Sequence, residues 1–229
     1  DGDTSMCPAS GEAALRAAGG VCAAVDAVFA GEADNAFCAV RPPGHHAEAS
    51  HAMGFCIFNS VAVAAAHARN AHGLKRVAVM DFDVHHGNGT QHMFEADGDL
   101  FYASTHQMPL YPGTGSVQER GVGNICNAPL PPMAGGDHFR DTMTDIILPG
   151  LRAFGPELLI VSAGFDAHMA DPLAQLNLEA DDYAWATRAL LAVAADCCEG
   201  RLVSSLEGGY DLDALAASAS AHVRELMAA

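Results

Sequence analysis

Short apolar runs alternate with longer alanine-rich stretches along most of this chain. The runs at 36–40, 76–80, 100–104, 158–162 and 202–206 have the length and flanking turn residues of buried strands. The stretches at 12–29, 58–70, 138–154, 181–198 and 212–227 read as helices. Strands and helices in alternation predict an α/β protein with a mainly parallel sheet. Each predicted strand runs into a polar or glycine-rich cluster: RPPGHH, DFDVHHGNG, STH, AGFDAH and LEGGYD in chain order. In a parallel sheet the carboxyl ends of the strands share one edge, where ligands bind, so the clusters are expected to converge on one site. The stretches 108–123 and 129–136 are too long for simple turns and are expected to border that pocket as loops. No repeat or low-complexity linker divides the chain, and residues 1–229 suit one domain with one sizeable core.

The densest chemistry lies in VAVMDFDVHHGNG, residues 77–89. Its apolar start reads as a buried strand, and the polar burst from Asp81 to His86 falls where that strand must end. If the extended geometry continues, alternation puts Asp81, Asp83 and His85 on one side. Two carboxylates and an imidazole together are costly to bury unless something cationic binds them. Asp83 and His85, joined by Asp166 of AGFDAH at the end of another strand, form the predicted metal-ligand set. With open coordination positions the set suits a catalytic Zn²⁺ that retains water, and Fe²⁺ fits the same donors. A bound metal would lower the water's pKa towards ~7 and supply a nucleophile at neutral pH. A D-x-H pattern alone would be an ordinary turn; the second cluster makes it a site.

His45 and His46 follow Pro42, Pro43 and Gly44, which can hold a fixed loop. Neighbouring imidazoles offer a base for the water and an acid for a leaving amine. A carboxylate behind each ring would set its tautomer. Asp81 is the nearest candidate for one ring, with Asn88 or Asp171 for the other. Tyr210, after Gly208 and Gly209, can donate a hydrogen bond to an oxyanion developing in amide hydrolysis. His86, His106 and His168 lie in the same clusters and read as supporting hydrogen-bonding groups, whereas His51, His67, His72, His92, His138 and His222 read as surface or structural. Ser104 and the carbonyls around Asp81, Asp83 and His85 could form an oxygen-lined site for K⁺ or Na⁺.

The formal charge of −17, without a Lys/Arg cluster, argues against nucleic acid and favours a cationic substrate. The seven cysteines show no CxxC pair and read as reduced core residues. No run approaches the ~18 apolar residues of a membrane span, and the start lacks the order of a signal peptide, so a cytoplasmic location is expected. Nothing in the sequence bears on oligomeric state.

Taken together, RPPGHHA, GFCIFN, DFDVHHGNGTQ, YPGTG, SAGFDAHMADPL and LEGGYD resemble the histone deacetylase family, in particular its bacterial class II-like members and acetylpolyamine amidohydrolases. The resemblance implies the arginase-deacetylase fold, a three-layer α/β/α sandwich around an eight-stranded parallel sheet. It also implies a zinc-dependent amidohydrolase that removes acetyl groups from lysine side chains or polyamines. By motif, the zinc ligands fall on Asp83, His85 and Asp166, the tandem histidines on His45 and His46, and the transition-state tyrosine on Tyr210. Asp81 matches the carboxylate behind the first histidine, and Asn88 stands where the second carboxylate would be. The acyl-lysine tunnel would be lined by Gly54, Phe55 and Tyr111, with the Gly54 carbonyl facing the substrate amide. Potassium sites fall on Asp81, Asp83, His85, Ser104 and Thr105, and near Phe94. Leu173 takes the gate position where polyamine-selective relatives carry glutamate, which favours acyl-lysine. Members usually carry a further segment before the one that begins here, so an N-terminally incomplete domain with an incomplete substrate rim is expected. The rival readings are a noncatalytic acyl-ligand binder and a binuclear ureohydrolase. An intact ligand set opposes the first, and a single ligand set the second.

Overall fold

The structure, a computed structural model, describes all residues, Asp1–Ala229. Its strands are β1 Asn35–Cys38, β2 Val77–Asp81, β3 Leu100–Gln107, β4 Ile125–Leu130, β5 Leu158–Ala163 and β6 Leu202–Leu206. They form one sheet in the order β1-β6-β5-β2-β3-β4, with every neighbouring pair parallel. The helices are α1 Ser10–Phe29, α2 Ser60–His72, α3 Asn88–Phe94, α4 Gly136–Thr142, α5 Leu148–Phe154, α6 Ala180–Cys197 and α7 Leu212–Met227. None is long and apolar enough to cross a membrane.

Helices cover both faces of the sheet, which explains why its central strands read as continuous apolar runs. Met80, Phe101, Leu159 and Val161 point to one side, into a core shared with Leu151, Leu190 and Val193 of α5 and α6. Val79, Tyr102, Ile160 and Val203 point to the other, against Val21 and Val25 of α1 and Val61 of α2. The result is a three-layer α/β/α sandwich. From β2 the chain steps outward through β3 and β4, then crosses to β5 and β6 on the other side. The carboxyl ends of β2 and β5 therefore flank the point where strand order reverses, where α/β sheets open a crevice for ligands.

Local signals place the helix ends. The Asn59 side chain accepts the Ala62 N–H at 3.0 Å to start α2, and Gly73 ends it in the left-handed region at φ 70°. Glu179 and Asp182 form a capping box on α6, and Asp211 caps α7. The predicted helix at 138–154 is instead α4 and α5 joined by a π-helical turn, Met143–Ile147. Pro149 in the first turn of α5 lacks the N–H that a regular turn needs.

Two elements escaped the apolar pattern. The six-residue β4 carries Asn127 and Pro129, and proline is admitted because β4 is an edge strand. The seven-residue α3 is too short to show a period. β3 runs beyond its predicted end to Gln107, since pairing with β4 extends it. The sheet has six strands rather than the eight the family resemblance implied; this sequence holds six extended runs. All seven cysteines are free, but only Cys56 and Cys198 are buried as expected of core residues; Cys22, Cys38, Cys126 and Cys197 are partly buried, and Cys7, ahead of α1, is exposed.

Candidate active site

Extended geometry stops at Asp81, so strand alternation does not place Asp81, Asp83 and His85 together. Side chains bonding to the backbone two residues on shape a turn in its place. Asp81 Oδ1 accepts the Asp83 N–H at 3.1 Å, and Asp83 Oδ1 accepts the His85 N–H at 2.9 Å. This turn brings Asp83 and His85 together and aims Asp81 at His45.

Asp83, His85 and Asp166 each offer one ligand atom, all within 4.8 Å of one another. His85 Nδ1 lies 3.1 Å from Asp83 Oδ1 and 3.1 Å from Asp166 Oδ2. The backbone anchors the carboxylates from behind: Asp83 Oδ2 accepts the Gly208 N–H and Asp166 Oδ1 the Val84 N–H, both at 2.8 Å. Burial and the Asp83 charge raise Asp166 to about 7, with His85 pulling the other way. Asp83 is held well below the usual carboxylate range, as His45 and His85 overcome its burial. His85 is also buried, yet its bonds to Asp166 and Asp83 raise it to about 10. Two carboxylates thus share one imidazole proton, and a divalent cation would suit the place of that proton. The donor set fits a metal.

The tandem histidines differ in their support. His45 Nδ1 meets Asp81 Oδ2 at 3.0 Å, and its Nε2 faces Asp83 Oδ1 at 3.8 Å. Burial alone would lower its pKa, but Asp81 and Asp83 hold it well above the ordinary value. His46 Nδ1 meets Asn88 Oδ1 at 2.9 Å. Asn88 Nδ2 donates to Glu48 Oε1 at 3.0 Å, which fixes the amide so that its oxygen accepts from His46. His46 Nε2 is therefore left as an acceptor. Burial, with the adjacent His45 charge, pushes His46 well below the usual histidine value.

Asp171 does not stand behind His46. Its Oδ2 accepts the Tyr210 N–H at 2.8 Å and its Oδ1 the Leu173 N–H at 3.0 Å, so it holds the tyrosine loop to the DPL loop. Burial and the Asp83 and Asp166 charges raise the Tyr210 phenol far above its ordinary value, keeping it a proton donor. Tyr210, His46 and His85 line a cavity of about 230 Å³ whose walls include Gly54, Phe55, Tyr111 and Leu173. The Phe55 ring meets Tyr210 edge-on at 6.0 Å, and Tyr111 meets His46 edge-on at 5.2 Å.

Sequence reasoning missed Glu207, Asp3 and Leu110. Asp3 and Leu110 both line the cavity: Leu110 falls in the loop 108–123 that was expected to border the pocket but was not singled out within it, and Asp3 sits in no polar cluster at a strand end. Glu207 is fully buried: Oε2 accepts the N–H groups of Gly44 and His45 at 2.7 and 3.2 Å, and Oε1 accepts from Ser162 Oγ at 3.0 Å. Burial raises it to about 7, against the pull of His45. Its place at the end of a buried strand, just before two glycines, was the available signal.

Ser104 and Thr105 are buried on β3, with Ser104 in register with Asp81. His106 Nε2 donates to the Gly115 carbonyl at 2.9 Å, so its Nδ1 accepts from Ser104 Oγ at 2.9 Å and the Ser104 lone pairs stay free. The Thr105 hydroxyl has no partner. His86 bonds Thr114 and Gln91, and His168 Nδ1 accepts the Ala170 N–H at 3.1 Å, as supporting histidines do.

A doubly covered parallel sheet with a buried Asp-His-Asp group, paired imidazoles and a tyrosine at its carboxyl edge defines an α/β protein with a hydrolase-like site. The family description "Histone deacetylase domain" matches residues 1–226, and the chain belongs to the histone deacetylase family. Histone deacetylase 14, chloroplastic, of Arabidopsis thaliana is 44% identical over 93% of this chain and 52% of its own length. A histone deacetylase-like amidohydrolase of Pseudomonas aeruginosa is 46% identical over 91% and 56%. A probable deacetylase of Archaeoglobus fulgidus is 42% identical over 93% and 60%. The crystal structure of the HDA15 HD domain superimposes with a TM-score of 0.89 at 40% identity, covering 96% of this chain and 62% of that one. The chain thus spans about half the length of the curated relatives it matches.

Proposed function

We propose that the protein is a zinc-dependent amidohydrolase that removes acetyl groups from lysine side chains, releasing acetate and a free amine. The observation that carries this reading is the convergence of Asp83 and Asp166 on His85, which lines one cavity with His46 and Tyr210. Asp83, His85 and Asp166 would hold Zn²⁺, with Fe²⁺ an alternative for the same donors. When bound, the ion supplies Lewis acidity towards a carbonyl and acidifies water. His46, neutral and with Nε2 bare, takes a proton from the attacking water and returns it to the departing amine. His45 keeps its proton against Asp81 and adds positive charge beside the reacting centre. Tyr210 donates its hydroxyl hydrogen to the carbonyl oxygen as negative charge develops there.

Phe55 and Tyr111 offer aromatic walls to an alkyl chain, and Gly54 a carbonyl to the substrate N–H. Leu173, half exposed at the mouth, is apolar at the gate position and so favours acyl-lysine, although Asp3 puts a carboxylate elsewhere on the cavity wall. The charge of −17 steers a cationic substrate. The Ser104 oxygen and the unpartnered Thr105 hydroxyl, with the carbonyls of Asp81, Asp83 and His85, would suit K⁺. One buried set of three donors favours one catalytic ion over a pair.

The test compares Asp166→Asn with Tyr210→Phe on an acetyl-lysine peptide, acetylputrescine and acetylspermidine. Asp166→Asn is expected to lose metal and turnover together. Tyr210→Phe is expected to keep the metal and lose ~10²–10³ in turnover, as for removal of one oxyanion donor. Turnover retained in Asp166→Asn would overturn the mechanism, and a clear preference for acetylpolyamines would overturn the substrate assignment.

A further inference from the structure

A second convergence of ligand atoms lies outside the catalytic site, where α1 packs on α2. Asp26 of α1 and His67 and His72 of α2 place a carboxylate oxygen and two imidazole nitrogens within 4.8 Å of one another. His67 Nε2 is 2.7 Å from Asp26 Oδ1, and His72 Nε2 is 2.8 Å from the same oxygen. Both helices lead into strands of the parallel sheet, α1 into β1 and α2 into β2. Their C-terminal ends therefore sit at the amino edge of the sheet, opposite the edge that carries Asp83.

On an isolated helix His67 and His72 would point apart, since five residues turn the chain by about 500°. Tertiary packing closes the gap by bringing α1 and its Asp26 between them. Phe29 stacks on His72 at 4.6 Å with the rings 21° from parallel, which limits the ring's freedom. Both Nε2 atoms now bond the same carboxylate oxygen, and Asp26 Oδ2 has no partner. Neither Nδ1 is engaged by another protein group, so each ring can carry its proton on Nδ1 and free Nε2 as a ligand. The His67, His72 and Asp26 side chains are 31%, 22% and 52% exposed, which leaves a bound ion room for water. A tetrahedral ion with bonds of ~2.0–2.1 Å would need its ligand atoms about 3.3 Å apart, a shift of roughly half an ångström for each Asp–His pair.

We infer that Asp26, His67 and His72 form a second, peripheral site for a divalent first-row transition-metal ion such as Zn²⁺, which fastens the C-terminal end of α1 to that of α2. Two imidazoles and one carboxylate are borderline donors that suit Zn²⁺, Ni²⁺ and Cu²⁺ rather than Mg²⁺ or Ca²⁺. An exposed three-ligand site exchanges its ion with solvent, so this ion would be lost to chelators sooner than the catalytic one. The inference does not rest on the deacetylase reading.

The test uses the whole chain without an affinity tag, titrated with Zn²⁺ by calorimetry, with bound metal counted by elemental analysis. The unaltered chain is expected to take two equivalents, and ~100-fold excess over the weaker dissociation constant to raise its Tm by about 5 °C. His67→Gln with His72→Gln, and separately Asp26→Asn, should take one equivalent, keep their turnover and lose the second rise in Tm. Asp166→Asn should keep the peripheral equivalent, so failure of the catalytic assignment would show there alone. The same number of equivalents on the unaltered chain and on both peripheral variants would overturn the inference.

Discussion

Gly208→Ala should disable the metal site without adding any polar or charged group. An ideal Cβ at Gly208 would stand 2.1 Å from Asp166 Oδ2 and 2.6 Å from Asp83 Oδ2. Ordinary contact begins at 3.4 Å, so relief requires Asp166 Oδ2 to retreat by about 1.3 Å and Asp83 Oδ2 by about 0.8 Å, or the loop to move as far. Gly208 lies outside the left-handed region, so space and not backbone strain is at issue. Metal–ligand distances tolerate deviations of about 0.2 Å, several times less than the required retreat. The Gly208 N–H that anchors Asp83 Oδ2 at 2.8 Å would move as well. Losing one supporting contact costs a metal site ~10–100-fold, and here two of three ligands are displaced, so at least ~100-fold weaker binding is expected. Overpacking should also destabilise the fold by about 1–3 kcal/mol. The assay is metal affinity by competition with a chelator, beside denaturant unfolding. Gly19→Ala is the control: it lies within α1, its Cβ would meet nothing within 4 Å, and it should gain about 1 kcal/mol. Metal affinity in Gly208→Ala equal to that of the unaltered chain would refute the reasoning.

Two further outcomes can be checked away from the metal ligands. Glu207→Ala leaves the N–H groups of Gly44 and His45 and the Ser162 hydroxyl without their buried acceptor, at ~1–3 kcal/mol each for groups that stay unpaired. Glu207→Gln can face its oxygen to the two N–H groups and its amide to Ser162 Oγ, so it should be markedly more stable than Glu207→Ala in urea, and equal stability would count against this role. His222, bonded to Thr187 Oγ1 at 2.7 Å and Ser204 Oγ at 2.8 Å, is lowered by burial to about 4. Between that value and the unfolded ~6.5 the unfolded chain binds the extra proton, so stability is full above pH ~6.5 and falls as pH drops towards 4, by about 3 kcal/mol in all. Unfolding measured against pH should show a shallower fall in His222→Gln than in the unaltered chain, and identical slopes would exclude His222 as a contributor.

Much of this protein was legible in its sequence because its sheet is parallel and covered on both faces. Strands buried on both sides need uninterrupted apolar runs, and runs such as 77–80 in β2 stand out against the helices between them. The same topology sends every strand end to one edge, so the polar clusters could be assigned to one site before any distance was known. β4 was hidden because an edge strand tolerates Asn127 and Pro129, and α3 because seven residues hold no period.

Local sequence set the residue types: acids and histidine after β2, an acid after β5, a tyrosine after β6. Which groups face each other was decided only by tertiary packing. Asp171 bonds the Tyr210 backbone and not His46, because the DPL loop folds against the tyrosine loop. Glu207, an unremarked acid in the sequence, became the acceptor that holds the tandem-histidine loop once β6 lay beside β1 and β5. Asp26, His67 and His72 share no motif and meet only where α1 lies on α2. Periodicity follows from bonds along the chain, which a sequence displays. Partner choice depends on contacts between segments far apart in sequence, and these exist only after the layers have packed.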